Sequence, residues 1–301
     1  MRENVGIQTV DLSKQYPGTD YFALRDLSIQ VKRGEVYGFL GANGAGKTTT
    51  IRLLLNFLQP SRGSAVVLGL DVVDDSVEIK RHVGYLSGDV ALYPKATGRE
   101  FLDYLGRLQG MKSQGYRKKL EQRFEADLDK PISSLSKGNR QKLGVLQALM
   151  HEPDVLVLDE PTSGLDPLMQ EAFYDSLREA KSRGAAVFMS SHNLAEAQRV
   201  CDRVGIIKAG RLLREQAVQD DADLGGTVLR VRFKSPEVIG KVKRASAVKV
   251  VSQEDERTLL VQPARSIASA LKALSQYDIE EFSSQSLDLE SEFIEFYGEN
   301  G

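Results

Sequence analysis

The segment Gly41-Ala42-Asn43-Gly44-Ala45-Gly46-Lys47-Thr48 decides how the rest of the chain is read. It matches the spacing G-x-x-x-x-G-K-[ST] and sits in the context that this spacing needs. The preceding residues 35–40 (EVYGFL) read as a buried strand, and residues 47–58 read as a helix with Ile51, Leu54, Leu55 and Leu58 on one face. Glycines let the backbone fold tightly enough to aim its N–H groups at phosphate oxygens. The helix start adds partial positive charge. On this reading Lys47 reaches the β- and γ-phosphates of a nucleotide and the Thr48 hydroxyl ligates Mg²⁺, with Thr49 beside it in the same nucleotide-binding set. A glycine-rich turn between two elements is the alternative, and the loop alone does not say what the nucleotide drives.

The chain has 301 residues, enough for one large domain or two smaller ones with an ample core. It is 41% hydrophobic and 27% charged, with net charge −2 and pI about 6.0. That balance argues against a global basic field for nucleic acid or a membrane surface. The pair Lys118-Lys119 reads as a solvated helix face. The single Cys201 cannot form an internal disulfide, which fits a reducing compartment, and reads as a small helix residue. No apolar run approaches the roughly 18–20 residues of a membrane span, and the N-terminal MRENVGIQTVDLSKQY has no apolar signal region. The expectation is a soluble, cytoplasmic chain whose membrane role, if any, requires a partner.

Strand-like pieces broken by turns fill residues 5–40, at Ile7 to Val10, at Leu24 and at Leu27 to Val31. The pattern then turns helical between about 97 and 151. Thr97-Gly98-Arg99-Glu100 is a capping box, and a second helix is expected over 139–150 with Leu143, Leu146 and Met150 on one side. Residues 155–158 form a short apolar run of the kind a buried parallel strand shows, as do 185–190. Asp166-Pro167 reads as a cap with proline at the first helical position, and Asn193-Leu194-Ala195-Glu196 as a capping box headed by asparagine. Near residues 219–226 (QDDADLGG) the composition marks a boundary, dividing the chain into 1–219 and 220–301. Beyond it the order is β-α-β-β-α-β, that of a ferredoxin-like unit, followed by an amphipathic helix over about 287–297.

The strand at 155–158 ends in two carboxylates. Asp159 is expected to hold Mg²⁺ through its water shell and Glu160 to polarise an attacking water. Leu135-Ser136-Lys137-Gly138-Asn139-Arg140-Gln141 places a serine and a glycine just before a helix, an anion-binding end that taken alone is only a cap. In this place, about 20 residues before the Asp-Glu strand, it resembles the signature loop of ATP-binding cassette (ABC) proteins, usually written L-S-G-G-Q. Ser163-Gly164-Leu165-Asp166 resembles that family's D-loop. Ser190-Ser191-His192 resembles its H-switch, with the imidazole reaching the γ-phosphate from a strand end. Tyr16 resembles the aromatic that stacks on adenine, with Tyr21 and Phe22 as rivals.

The resemblance covers residues 1 to about 217. It implies an α/β P-loop NTPase of the ABC type, with a RecA-like core, an antiparallel β subdomain and a helical subdomain, and the small α+β ferredoxin-like domain behind it. It also implies a mechanism one copy cannot perform: two cassettes pair head to tail, each ATP lying between one P-loop and the partner's signature loop. Ser136 and the Gly138 backbone then serve the partner's ATP, and closure drives the stroke. Two departures stand out. Gly88 of Gly84-Tyr85-Leu86-Ser87-Gly88-Asp89 occupies the place of the family's Q-loop glutamine, so Asp89 or an extra water is expected to supply the missing metal ligand. Lys137 and Asn139 replace a glycine and a glutamine of the signature, and Lys137 is expected to face solvent.

A single cassette, a modest helical stretch between Asp89 and Leu135 and an export-type tail imply the ATPase subunit of an exporter. It would dimerise with a second copy and lie on the inner face of the cell membrane beneath a separate integral-membrane permease, with no nucleic-acid partner. A soluble regulatory ABC ATPase without transport is the alternative. Translation factors of the superfamily carry two cassettes per chain, and repair ATPases insert long coiled coils; neither feature is in this sequence.

Overall fold

The computed structural model describes residues 4–88, 93–111, 113–218, 227–264 and 266–286. The chain divides into two compact units, 1–218 and 219–301.

The first unit begins with β1 (Val5–Gln15), β2 (Phe22–Leu27), β3 (Gln30–Lys32), β4 (Val36–Leu40), α1 (Lys47–Leu54), β5 (Arg62–Val67), β6 (Leu70–Asp71), α2 (Ser76–His82) and β7 (Val83–Leu86). It continues through α3 (Gly98–Leu108), α4 (Gly115–Phe124), α5 (Lys137–Leu149), β8 (Val155–Asp159), α6 (Pro167–Ser182), β9 (Ala186–Ser191), α7 (Leu194–Val200), β10 (Arg203–Lys208) and β11 (Arg211–Ala217). One sheet, in the order β2-β1-β5-β6 with β3 on β1, is antiparallel throughout. The other runs β11-β10-β4-β9-β8-β7 and is parallel except for the edge strand β11.

Every residue of β4, β8 and β9 is buried. A parallel sheet is covered on both faces, which is why these strands read as apolar runs rather than alternating ones. Their register sets Leu40 beside Ser191 and Asp159 beside Ser190. The loop after β4, the carboxylates after β8 and the serine-histidine stretch after β9 therefore emerge side by side at the carboxyl edge, where open α/β sheets place their ligands.

Helix α1 ends at Leu54, short of the expected residue 58. Asn56 takes a left-handed conformation at φ 53°, and the amides of Phe57 and Leu58 both return to the Arg52 carbonyl, at 2.8 and 3.1 Å. Asparagine tolerates that conformation and so stops the helix, while Leu58 still packs on the core. Helix α3 opens with the expected box: Thr97 Oγ1 accepts from the Glu100 amide and Glu100 returns to the Thr97 amide. Helix α5 starts earlier than expected, at Lys137, because Ser136 caps it from the Asn139 amide at 3.2 Å.

The helical layer is tied by charge. Arg117 is buried between Asp103 at 2.6 Å and Glu121 at 2.7 Å. Glu179 of α6 binds Arg123 at 2.6 Å and Lys119 at 2.9 Å on α4, so Lys119 is not merely solvated. The Arg123 guanidinium, with Lys119 behind it, holds the Glu179 carboxyl down to about 2.

The second unit contains β12 (Thr227–Phe233), a single 3₁₀ turn, α8 (Ile239–Val242), β13 (Val248–Gln253), β14 (Thr258–Pro263), α9 (Ile267–Leu274) and β15 (Ile279–Ser286). Its sheet runs β13-β14-β12-β15, antiparallel at every pairing. This is the split β-α-β-β-α-β arrangement, and Leu229, Val231 and Phe233 on one face of β12 join Val242 and Leu274 in its core. The helix expected over 287–297 lies outside the described residues. No helix among the described residues is long and apolar enough to cross a membrane.

Candidate active site

Between β4 and α1 the backbone turns through Gly44 at φ 80° and Gly46 at φ 114°. A β-carbon on Gly46 would lie 2.7 Å from the Ala23 carbonyl oxygen, so neither the conformation nor the space admits a side chain. Gly46 is also the N-cap of α1, and no side chain caps the helix. The first N–H groups of α1 are therefore left for an anion.

Lys47 is buried, and its ammonium donates to the carbonyl oxygens of Gly41 at 2.6 Å and Ala42 at 3.3 Å. It also faces Glu160 Oε1 at 3.2 Å. The other oxygen, Oε2, lies 2.7 Å from His192 Nδ1, so one carboxylate sits between two nitrogen bases from different elements. Glu160 holds a left-handed backbone at φ 48°, a costly conformation for a residue with a side chain. Its amide donates to Ser190 Oγ at 3.1 Å, which fixes that turn.

Asp159 is 5% exposed. It accepts from Thr48 Oγ1 at 2.9 Å and from Ser190 Oγ at 2.6 Å. A hydroxyl and a carboxylate thus converge beside the loop, the oxygen donors that Mg²⁺ prefers. Among the described residues no group of three His, Cys, Asp or Glu side chains forms a closed metal cage; Mg²⁺ in phosphoryl-transfer sites needs only one or two protein oxygens beside the phosphates.

A hollow of about 510 Å³ opens over the loop, with walls that include Asn43, Lys47, Thr48, Thr49, Asp159 and Glu160. Its aromatic walls are Tyr21 and Phe22, not Tyr16. Tyr16 instead sets its hydroxyl 3.4 Å from Thr49 Oγ1. Ala45 is buried under the loop, its amide bonded to Ala42.

Ser136, Gly138 and Asp166 are not walls of this hollow. Ser136 is exposed at the start of α5, and a β-carbon on Gly138 would stand 3.2 Å from the Gly164 carbonyl oxygen. The Lys137 stem lies 3.4–3.6 Å from where a β-carbon of Gly164 would be, so this exposed lysine leans on the neighbouring loop. Asp166 caps α6 through the Met169 amide at 3.0 Å. Gly88 abuts the site: a β-carbon there would be 3.3 Å from the Asp159 carbonyl oxygen and 3.8 Å from its carboxyl carbon. Asp89 lies outside the described residues.

The contacts of five neighbours escape the sequence reading. Ser190 holds Asp159, as above. Gln141 donates to the Pro161 carbonyl at 2.7 Å. Thr162 and Ser191 both donate to Glu196, at 2.7 and 2.5 Å. Asn193 does cap α7 through the Glu196 amide, but Glu196 does not return to the cap; its side chain turns inward to those hydroxyls. Burial pushes the Glu196 carboxyl up, and the two hydroxyls pull it back. The available signal was polar residues at buried helix positions, Gln141 two residues before Leu143 and Glu196 beside Ala197.

A phosphate loop, strand-end carboxylates and a parallel sheet in this order define a P-loop nucleotide-hydrolysing protein. The family model described as "ABC transporter" matches residues 24–163. The chain is 37% identical over 203 residues to the ABC transporter ATP-binding protein NatA of Bacillus subtilis (strain 168), covering 65% of this chain and 82% of that one. It is 33% identical over 282 residues to the daunorubicin resistance ATP-binding protein DrrA3 of Streptomyces coeruleorubidus, covering 90% and 89%. A solved ATP-binding subunit of an ABC transporter superposes with TM-score 0.66 and 32% identity over 71% of this chain and 90% of that one. The chain belongs to the ABC transporter family as an ATP-binding ATPase subunit.

Proposed function

We propose that this ATPase powers export: two copies close head to tail on ATP and drive a separate integral-membrane permease from the cytoplasmic face of the membrane. The observation that carries it is the division of the site. The hollow over the loop is walled by Lys47, Thr48, Asp159 and Glu160, while Ser136 and Gly138 lie outside it at the start of α5. Such a chain has half a site at each of two places, and two copies complete both. The daunorubicin resistance relative, aligned along most of its length, supports an export role.

In the proposed site the 41–48 loop and the α1 amides cradle the phosphates. Lys47 neutralises the β- and γ-oxygens. Thr48 and Asp159 would hold Mg²⁺, which would offset charge on the phosphate oxygens; Asp89 is proposed as a further ligand. Glu160 accepts a proton from the attacking water, and His192, hydrogen-bonded to it, fixes its orientation. The base takes the aromatic end of the hollow at Tyr21 and Phe22, with Tyr16 bonded to Thr49. From the partner chain, Ser136 and Gly138 close the γ-phosphate side, and Asp166 lies at the seam.

The test uses Glu160→Gln to slow turnover. With ATP and Mg²⁺ this variant is expected to elute as a dimer, and adding Gly138→Asp to return it to monomer while it still binds ATP. A carboxylate there suits a helix start but repels a phosphate. A tagged chain purified from membranes should bring a stoichiometric integral protein with it. Recovery only from the soluble fraction, without a partner, contradicts the export reading.

A further inference from the structure

A relay of polar contacts links helix α5 to the end of β9 without using any group assigned above to the nucleotide or the metal. Gln141, buried in the first turns of α5, donates its amide N–H to the Pro161 carbonyl at 2.7 Å. The next residue, Thr162, donates its hydroxyl to Glu196 Oε1 at 2.7 Å across 34 positions of sequence. Glu196 Oε2 accepts from Ser191 Oγ at 2.5 Å. Ser191 Oγ in turn accepts from the Asn193 amide at 2.9 Å, so both sides of His192 are tied down.

Glu196 is 6% exposed, and its two side-chain partners are neutral hydroxyls. A buried carboxylate held this way adds little stability by itself, and an apolar residue would be buried there at lower cost. Its effect is geometric, because a satisfied buried polar network allows one arrangement of what it holds. What it holds is specific. Thr162 stands two residues after Glu160, and Ser191 stands one before His192. The Glu160–His192 contact of 2.7 Å is therefore braced on one side by Ser190 Oγ at the Glu160 amide and on the other by Thr162–Glu196–Ser191.

We propose that Glu196 is a positioning residue that locks the 160–166 loop to the strand end bearing His192, and that Gln141 extends this lock to the helix capped by Ser136. A shift of that helix end moves Pro161 and Thr162, and through Glu196 it moves His192 against Glu160. The signature end of a chain is in this way coupled to the catalytic carboxylate of the same chain. The inference rests on the roles proposed for Glu160 and His192.

Steady-state ATPase kinetics of the full chain test it with Glu196→Ala, Glu196→Gln, Thr162→Val and the Glu196→Ala/Thr162→Val pair. Misplacement of His192 against Glu160 predicts a kcat about 10–100-fold lower in Glu196→Ala. KM for ATP stays within about threefold, because nothing in the lock lines the hollow. Glu196→Gln, which keeps the shape and one acceptor, retains more activity than Glu196→Ala. The double variant loses no more than the worse single variant, since both break one path. The proposal is overturned by a Glu196→Ala kcat within about twofold of the parent, by multiplicative losses in the double variant, or by a loss matching the unfolded fraction in a thermal melt. Glu160→Gln separates the two readings. If it keeps full turnover, the role of Glu160 fails; if it is inactive while Glu196→Ala is unaffected, only the lock fails.

Discussion

Around the 41–48 loop, Lys47 and Asp159 are buried and Glu160 holds a left-handed backbone, whereas at the start of α5 Ser136 is exposed in ordinary extended geometry and its hydroxyl simply caps the helix. The first region is preorganised within one chain: strain, burial and three hydrogen-bonded side chains hold the carboxylates in place before any ligand arrives. The second is a surface. Ser136 and Lys137 there are exposed and Gly138 partly so, and in the proposed dimer they gain a low-dielectric environment only when a partner excludes water from them. On the proposal that two copies share each ATP, this difference is what such a division needs: one end organised within its own chain and one that a partner covers.

The largest effect should come from the preorganised region. Glu160→Gln removes the anion between Lys47 and His192. Turnover is expected to fall by about 100-fold or more, with ATP bound at least as tightly because Lys47 no longer shares its charge with a carboxylate. Single-turnover hydrolysis and a nucleotide titration measure the two, and turnover within about tenfold of the parent would remove Glu160 from the chemistry.

A pair of glycine replacements sharpens the contrast. Gly46→Ala forces a side chain into φ 114° and to 2.7 Å from a carbonyl oxygen, so urea unfolding should show a loss of about 1–3 kcal/mol. Gly138→Ala meets Gly164 at 3.2 Å with an unstrained backbone, and its unfolding curve should move much less. Equal losses would mean that the two ends are not built differently.

The smallest effect lies in the layer that carries α5. Glu179 is held down to about 2 by Arg123 and Lys119, below its unfolded value, so the contact stabilises above the ordinary carboxylate range and its contribution is lost as pH falls toward 2. The pair is partly exposed, so Glu179→Gln should cost under about 1 kcal/mol at pH 7. The gap from the parent should close in urea unfolding at acid pH. A gap that widens on acidification would show that the charge pair does not hold α4 to α6.

What could be read in the sequence was local. The phosphate loop, the apolar strands that end in Asp159 and Ser191, and the caps at Thr97 and Asp166 each depend on residues within a few positions of one another. Glu196 was misread for the same reason: its position three after Asn193 suits a capping box, but hydroxyls from Thr162 and Ser191 drew it inward. The motif points to Tyr16, and the folded chain sets Tyr21 and Phe22 along the hollow with the Tyr16 hydroxyl 3.4 Å from Thr49 Oγ1, a placement that no local pattern carries. The end of α1 moved because one asparagine took a left-handed turn.

The sequence by itself determined that a strand, a glycine loop and a helix would make a phosphate grip, since glycine freedom, strand burial and helix polarity act over short spans. Only the tertiary structure decided which carboxylate meets which lysine, histidine or hydroxyl. Those pairings reach across more than a hundred positions for Thr48 at the start of α1 and Asp159 at the end of β8, and the register of a parallel sheet, not the order of residues, brings them within hydrogen-bonding distance.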